Sequence, residues 1–181
     1  MNVKLLNPFV DSAYDVIKAE TRGNIERGDL RLENGVFVTE DVTVILSLVG
    51  AVDGTVFYSM TSETATKLAS VMLADSLQEF NNLAQSGIAE LGNVITGRAS
   101  MKLSQAGYEC TISTPSLIIG KGAMISTLDY PRLVVPLLTI AGMVLIHLAL
   151  RQSNANGLKT PQMAIPKPFE MPVDELGDKM S

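Results

Sequence analysis

A hydroxyl, a carboxylate and a carboxamide recur about one helical turn apart in segment 81–98: Ser86, Glu90 and Asn93, with Gly97 one turn further on. At ~100° per residue, a helix carries all four within roughly 60° of one another, on one ridge. The chemistry open to such a ridge is hydrogen bonding and charge pairing. The Asn93 carboxamide offers both a donor and an acceptor, and the Glu90 carboxylate is acceptor-only. Leu77, Phe80, Ala84, Ile88, Leu91, Ile95 and Ala99 fall on the other side, so the helix buries that stripe and turns the ridge toward solvent or a partner.

A solvated helix face explains Glu and Asn alone, but not the glycines. Gly87, Gly92 and Gly97 lie inside the same pattern, and each Gly in a helix interior costs roughly 1 kcal/mol relative to Ala. Close approach offsets such a penalty, with Gly97 on the ridge leaving room for a partner's backbone and Gly87 and Gly92 serving packing beneath; the alternative is a kink or an early end of the helix.

Other chemistries lack their residues. The only cysteine is Cys110 and the only histidine His147, which leaves no disulfide framework, no CxxC pair and no Cys/His zinc set. His147 sits in an apolar run and is expected to be a buried, hydrogen-bonded imidazole rather than part of a Ser-His-Asp triad; Cys110 is expected to pack in a strand. A net charge of −5 argues against a nucleic-acid partner.

The elements that must position the ridge follow from periodicity. With 181 residues, 46% of them apolar, the chain has material for one core. Helical spacing predicts a first helix over residues 5–21, and β-branched runs predict strands over 29–38, 42–49 and 55–60 with turns at Asn34-Gly35, Glu40-Asp41 and Asp53-Gly54. Thr61 caps a short helix, and a long helical pattern covers 77–105. Strands are expected over 108–113, 116–120, 133–140 and 143–150. Segment 133–150 is nearly long enough to span a bilayer, but Pro136, Ala141-Gly142 and His147 divide it into an antiparallel hairpin. The fold class is therefore α+β: a largely antiparallel sheet covered by long helices, in two diverged helix-plus-strands halves. Residues 1–151 form the domain, and residues 152–181, with four of the eight prolines, form a tail expected to be flexible, within which 163–171 could lie extended. The N-terminus, broken by Pro8 and Asp11, does not read as a signal peptide, so the chain is expected in the cytoplasm.

The Ser86, Glu90, Asn93 spacing, the apolar pair after it and Gly97 resemble the motif of the CheC/CheX chemotaxis phosphatases, and within them the CheX branch. The likeness extends over about residues 1–150, including the hairpin around Pro136 and Met143. It implies a CheC-like fold with one competent site, because the matching positions of the first helix read Ser12, Val16, Ala19 and Gly23. It also implies a homodimer whose substrate is the aspartyl phosphate of a CheY-type receiver. This chain would bind no cofactor, and Mg²⁺ would sit in the receiver. On this resemblance Asn93 orients the attacking water, Glu90 pairs with the receiver's active-site lysine, and Ser86 and Gly97 support partner binding. The alternative is a non-catalytic receiver-binding adaptor of the same fold.

Overall fold

Alternation of apolar residues in the strands and their 3.6-residue recurrence in the helices point the same side chains to one core. The computed structural model describes residues 3–127 and 130–153. Helix α1 (Val3–Thr21) is followed by strands β1 (Glu26–Arg27), β2 (Arg31–Glu33), β3 (Val36–Val38), β4 (Val42–Gly50) and β5 (Val52–Met60). Helices α2 (Ser62–Leu73) and α3 (Asn82–Gln105) come next, then β6 (Cys110–Ile112), β7 (Ser116–Ile119), β8 (Met124–Ser126), β9 (Arg132–Thr139) and β10 (Gly142–Gln152).

The main sheet runs β1-β9-β10-β5-β4-β6, with β2 also beside β9 and β7 also beside β4; every pairing is antiparallel. Each half contributes a long helix and a hairpin, α1 with β4–β5 and α3 with β9–β10, and the halves join where β5 pairs with β10. Val44, Leu46, Val56, Tyr58, Ile146 and Leu148 point from the sheet into a core that also takes Phe9, Ala13 and Ile17 of α1, Leu68 of α2 and Ile88, Ile95 and Leu103 of α3. Full burial of each large apolar side chain stabilises by about 1.5–3 kcal/mol.

The expected α+β class and the 133–150 hairpin are present: Thr139 pairs with Gly142 across the turn at Ile140 and Ala141. No described helix is long and apolar enough to cross a membrane. Several local readings need correction. The run 29–38 is not one strand of a meander. It breaks at the expected Asn34-Gly35 turn, where the Gly35 φ of 82° is left-handed, but the two pieces part company: β2 pairs with β9, while β3 turns away to pair with β8 in a separate two-stranded flap. The turn between β4 and β5 falls at Ala51 rather than Asp53-Gly54, which lie inside β5. Gly54 is required there by close approach, since a Cβ would land on the carbonyl oxygen of Ala149 in β10.

The flap lays Phe37 over the sheet, 4.7 Å from the Phe57 ring and 4.6 Å from that of His147. His147 is buried as expected, but neither ring nitrogen has a hydrogen-bond partner among the described residues. Burial, with the nearby Arg132 guanidinium, pushes its pKa down to about 4 and keeps the ring neutral. Strand β10 takes in Gln152; residues 154–181, the remainder of the expected tail with its segment 163–171, lie outside the described residues.

Candidate functional site

Helix α3 begins later than its pattern suggested. Asn81 caps it, its side chain accepting from the backbone N–H groups of Leu83 and Ala84 at 3.1 and 3.0 Å. Leu77 and Phe80 precede the helix, yet still pack against the core. Ala84, Ile88, Leu91, Ile95 and Ala99 are buried as the stripe required.

A hydrogen-bonded chain fixes the rotation of the helix on the sheet. The Tyr58 hydroxyl lies 2.8 Å from Thr96 Oγ1, which donates to the Gly92 carbonyl at 2.8 Å. The Tyr58 hydroxyl is therefore the donor to Thr96, and burial raises its pKa far enough to keep it protonated. The sequence pattern did not single out this pair; a threonine among the apolar positions of α3 was the available signal. Beneath it, Gly92 allows the closest approach: an added Cβ would lie 2.9 Å from Val44 Cγ1 and 3.2 Å from Tyr58 Cδ2. Packing explains Gly92, as expected. It does not explain Gly87, where a Cβ would meet only Leu73 Cδ1, at an ordinary 3.7 Å.

On the opposite side the ridge is open. Ser86 and Glu90 are exposed, and Asn93 and Gly97 half-buried. Asn93 Nδ2 donates to Glu90 Oε2 at 3.3 Å. Because a carboxylate can only accept, this bond turns the NH₂ end of Asn93 toward Glu90 and leaves Oδ1 as a free acceptor among the described residues. Ser86 stands apart from the pair: its Oγ donates to the Asn82 carbonyl at 3.0 Å, within the helix. Gly97 is not demanded by the chain's own packing, since a Cβ there would touch only Ile112 Cδ1 at 3.9 Å.

The first helix has no counterpart. Ser12 and Val16 are buried, at 0% and 2% exposure, so half of the matching positions face inward. Clefts lined by Val10, Tyr14 and Lys102, by Phe57, Ile125 and Tyr130, and by Lys67 and Phe80 are not lined by Glu90 or Asn93. The pair stands on the open side of α3, with Glu90 exposed and Asn93 half-buried. Among the described residues, no group of three or more His, Cys, Asp or Glu side chains is placed to hold a metal ion.

The model of the family "Chemotaxis phosphatase CheX" matches residues 42–138, which include the whole ridge. The CheY-P phosphatase CheX of Thermotoga maritima is 27% identical over 128 residues, covering 70% of this chain and 83% of that protein. A CheC-like superfamily protein from a Shewanella species superposes with a TM-score of 0.76 at 26% identity, covering 83% of this chain and 99% of the other. CheX in the CheX–CheY–BeF₃–Mg²⁺ complex of Borrelia burgdorferi superposes with a TM-score of 0.72 at 27% identity, covering 81% and 97%. A domain with this sheet, these helices and this match across its central segment belongs to the chemotaxis phosphatase CheX family.

Proposed function

We propose that this chain hydrolyses the aspartyl phosphate of a CheY-type receiver by inserting Glu90 and Asn93 into the receiver's active site. The observation that carries the reading is the pair itself: two polar side chains, joined at 3.3 Å, standing together on the open side of α3. The free Asn93 Oδ1 accepts a hydrogen bond from a water and holds it in line with the phosphorus. The water oxygen forms the new P–O bond as the bond to the receiver's aspartate breaks. Both of the water's protons leave with inorganic phosphate as dihydrogen phosphate, and the aspartate recovers its carboxylate.

No covalent intermediate on this chain is needed. Acyl phosphates are intrinsically labile, and fixing an attacking water in a near-attack position supplies several kcal/mol of a barrier by itself. Charge stabilisation comes from the receiver, whose Mg²⁺ and active-site lysine flank the phosphate. Glu90 Oε1, not engaged by Asn93, pairs with that lysine and sets the register. Ser86 and Gly97 lie on the contact surface, Gly97 allowing the receiver's backbone to pass close. The working form is a cytoplasmic homodimer.

Phosphate release from a CheY-type receiver labelled with acetyl phosphate tests the reading. Asn93→Ala is expected to lower kcat by about 100-fold or more, the loss of water positioning, while receiver binding and thermal stability stay unchanged. An Asn93→Ala chain that turns over like the wild type removes the mechanism, and a wild-type chain that binds without accelerating release makes the protein an adaptor.

A further inference from the structure

Two large apolar side chains interrupt the polar surface of α3 in line with Glu90. Leu83 is 51% exposed and Met101 65% exposed. Seven residues before Glu90 and eleven after it, they lie within about 20° of its direction, with ~27 Å of helix between them. They bracket the ridge at both ends. A third apolar side chain approaches the same surface from α2: Leu73, 37% exposed, is the residue that a Cβ on Gly87 would meet. Gly87 and Gly97, neither of them required by internal packing, leave the helix surface low between these side chains. The result is an apolar rim that flanks the polar pair along the helix. Leu83 and Met101 take no part in the core.

We propose that Leu83 and Met101 are receiver-docking residues, which seat apolar surface on either side of the receiver's phosphorylation pocket and so set affinity and partner choice. The inference rests on the phosphatase reading, and its occupant is the phosphorylated receiver because the rim is continuous with Glu90 and Asn93. Large apolar side chains that a partner removes from water contribute binding energy in proportion to the apolar area buried. They act on the receiver whether or not hydrolysis follows, so they change KM and leave the chemical step alone.

The test uses the full chain carrying Leu83→Gln with Met101→Gln, which removes apolar surface without adding charge or weakening the helix. Phosphate release is measured against increasing concentrations of a CheY-type receiver phosphorylated with acetyl phosphate, and binding against the same receiver with beryllofluoride. The double variant is expected to raise KM and the dissociation constant by about 10-fold or more, keeping kcat within about twofold. Met101→Leu, made in a chain with native Leu83, is expected to keep wild-type KM. Asn93→Ala run alongside separates the two claims. If Asn93→Ala is inactive and the double variant keeps wild-type KM and binding, the docking rim is overturned and the phosphatase reading stands. If Asn93→Ala keeps full turnover, the phosphatase reading itself fails. A double variant that changes only the oligomeric state assigns the rim to a second copy of this chain and overturns the inference.

Discussion

Replacing Gly97 by Ala should make the protein more stable and less active. In the interior of α3 the substitution recovers about 1 kcal/mol of helix propensity. The new Cβ would lie 3.9 Å from Ile112 Cδ1, an ordinary contact with no overlap to offset that gain. Around 1 kcal/mol in a domain of this size raises Tm by roughly 2–4 °C. Gly92→Ala is the control, since the same propensity gain there meets Val44 Cγ1 at 2.9 Å, Tyr58 Cδ2 at 3.2 Å and Leu46 Cδ1 at 3.4 Å. Overpacking of that kind costs about 1–3 kcal/mol, enough to cancel or reverse the gain. The activity of Gly97→Ala should move opposite to its stability. A methyl on the ridge, one turn from Asn93, holds the receiver back by about 1 Å, and a misplacement on that scale is worth up to roughly 100-fold in rate. Differential scanning calorimetry and kcat/KM for a phosphorylated receiver decide the matter together. A raised Tm with unchanged kcat/KM would mean that no partner approaches Gly97, and a lowered Tm would refute the packing argument.

Two further perturbations test separate parts of the molecule. Glu90→Ala should weaken receiver binding and slow hydrolysis while changing stability by less than about 0.5 kcal/mol, because its hydrogen bond to Asn93 is exposed; full-strength binding in a titration would refute the lysine pairing. His147 should limit acid stability. Unfolded, its imidazole takes a proton near pH 6.5, but burial, with Arg132 and Arg31 opposing and Glu33 favouring the charged ring, holds the folded pKa down to about 4. Between those values the unfolded chain binds more protons, so stability falls as pH drops through the window, by about 2 kcal/mol at pH 5. Urea unfolding at pH 7 and pH 5 should show this loss in the wild type and not in His147→Leu; an equal loss in both would place the acid sensitivity elsewhere.

The helical elements were legible because their signals are local. The α3 stripe from Ala84 to Ala99 is a periodic pattern whose burial needs no knowledge of the partner surface, and Thr61 caps α2 through its own neighbour Thr64. The β9–β10 hairpin was legible for the same reason. What escaped depends on distant chain. Residues 29–38, with their turn at Asn34-Gly35, look like part of one meander until Met124–Ser126 is present to draw β3 away, and that short segment gives little signal of its own. Among the described residues no partner reaches the His147 nitrogens, because the Phe37 ring, 4.6 Å away, shields the imidazole where an acceptor was expected. At the site, the phase of Ser86, Glu90, Asn93 and Gly97 was legible from spacing. The hydrogen bond that orients Asn93 was not, since spacing places two side chains on one ridge without choosing their rotamers.

The asymmetry between the two long helices follows from burial as much as from residue identity. In α1 the positions that would carry Ser and Glu are occupied by Ser12 and Val16, both sealed against the rest of the fold. A carboxylate introduced at Val16 would not build a second site. It would enter the core among Phe9, Ala13 and Ile17 with no cation to pair with, and an unpaired buried charge is either neutralised or expelled. Helix α3 escapes this constraint because Tyr58 and Thr96 fix its rotation and Gly92 seats it closely on β4 and β5, turning the Glu90 side outward. The fold thus buries the Ser and Glu positions of one helix and presents those of the other. The exposure of the Glu90–Asn93 pair belongs to that rotation as much as to the two side chains themselves.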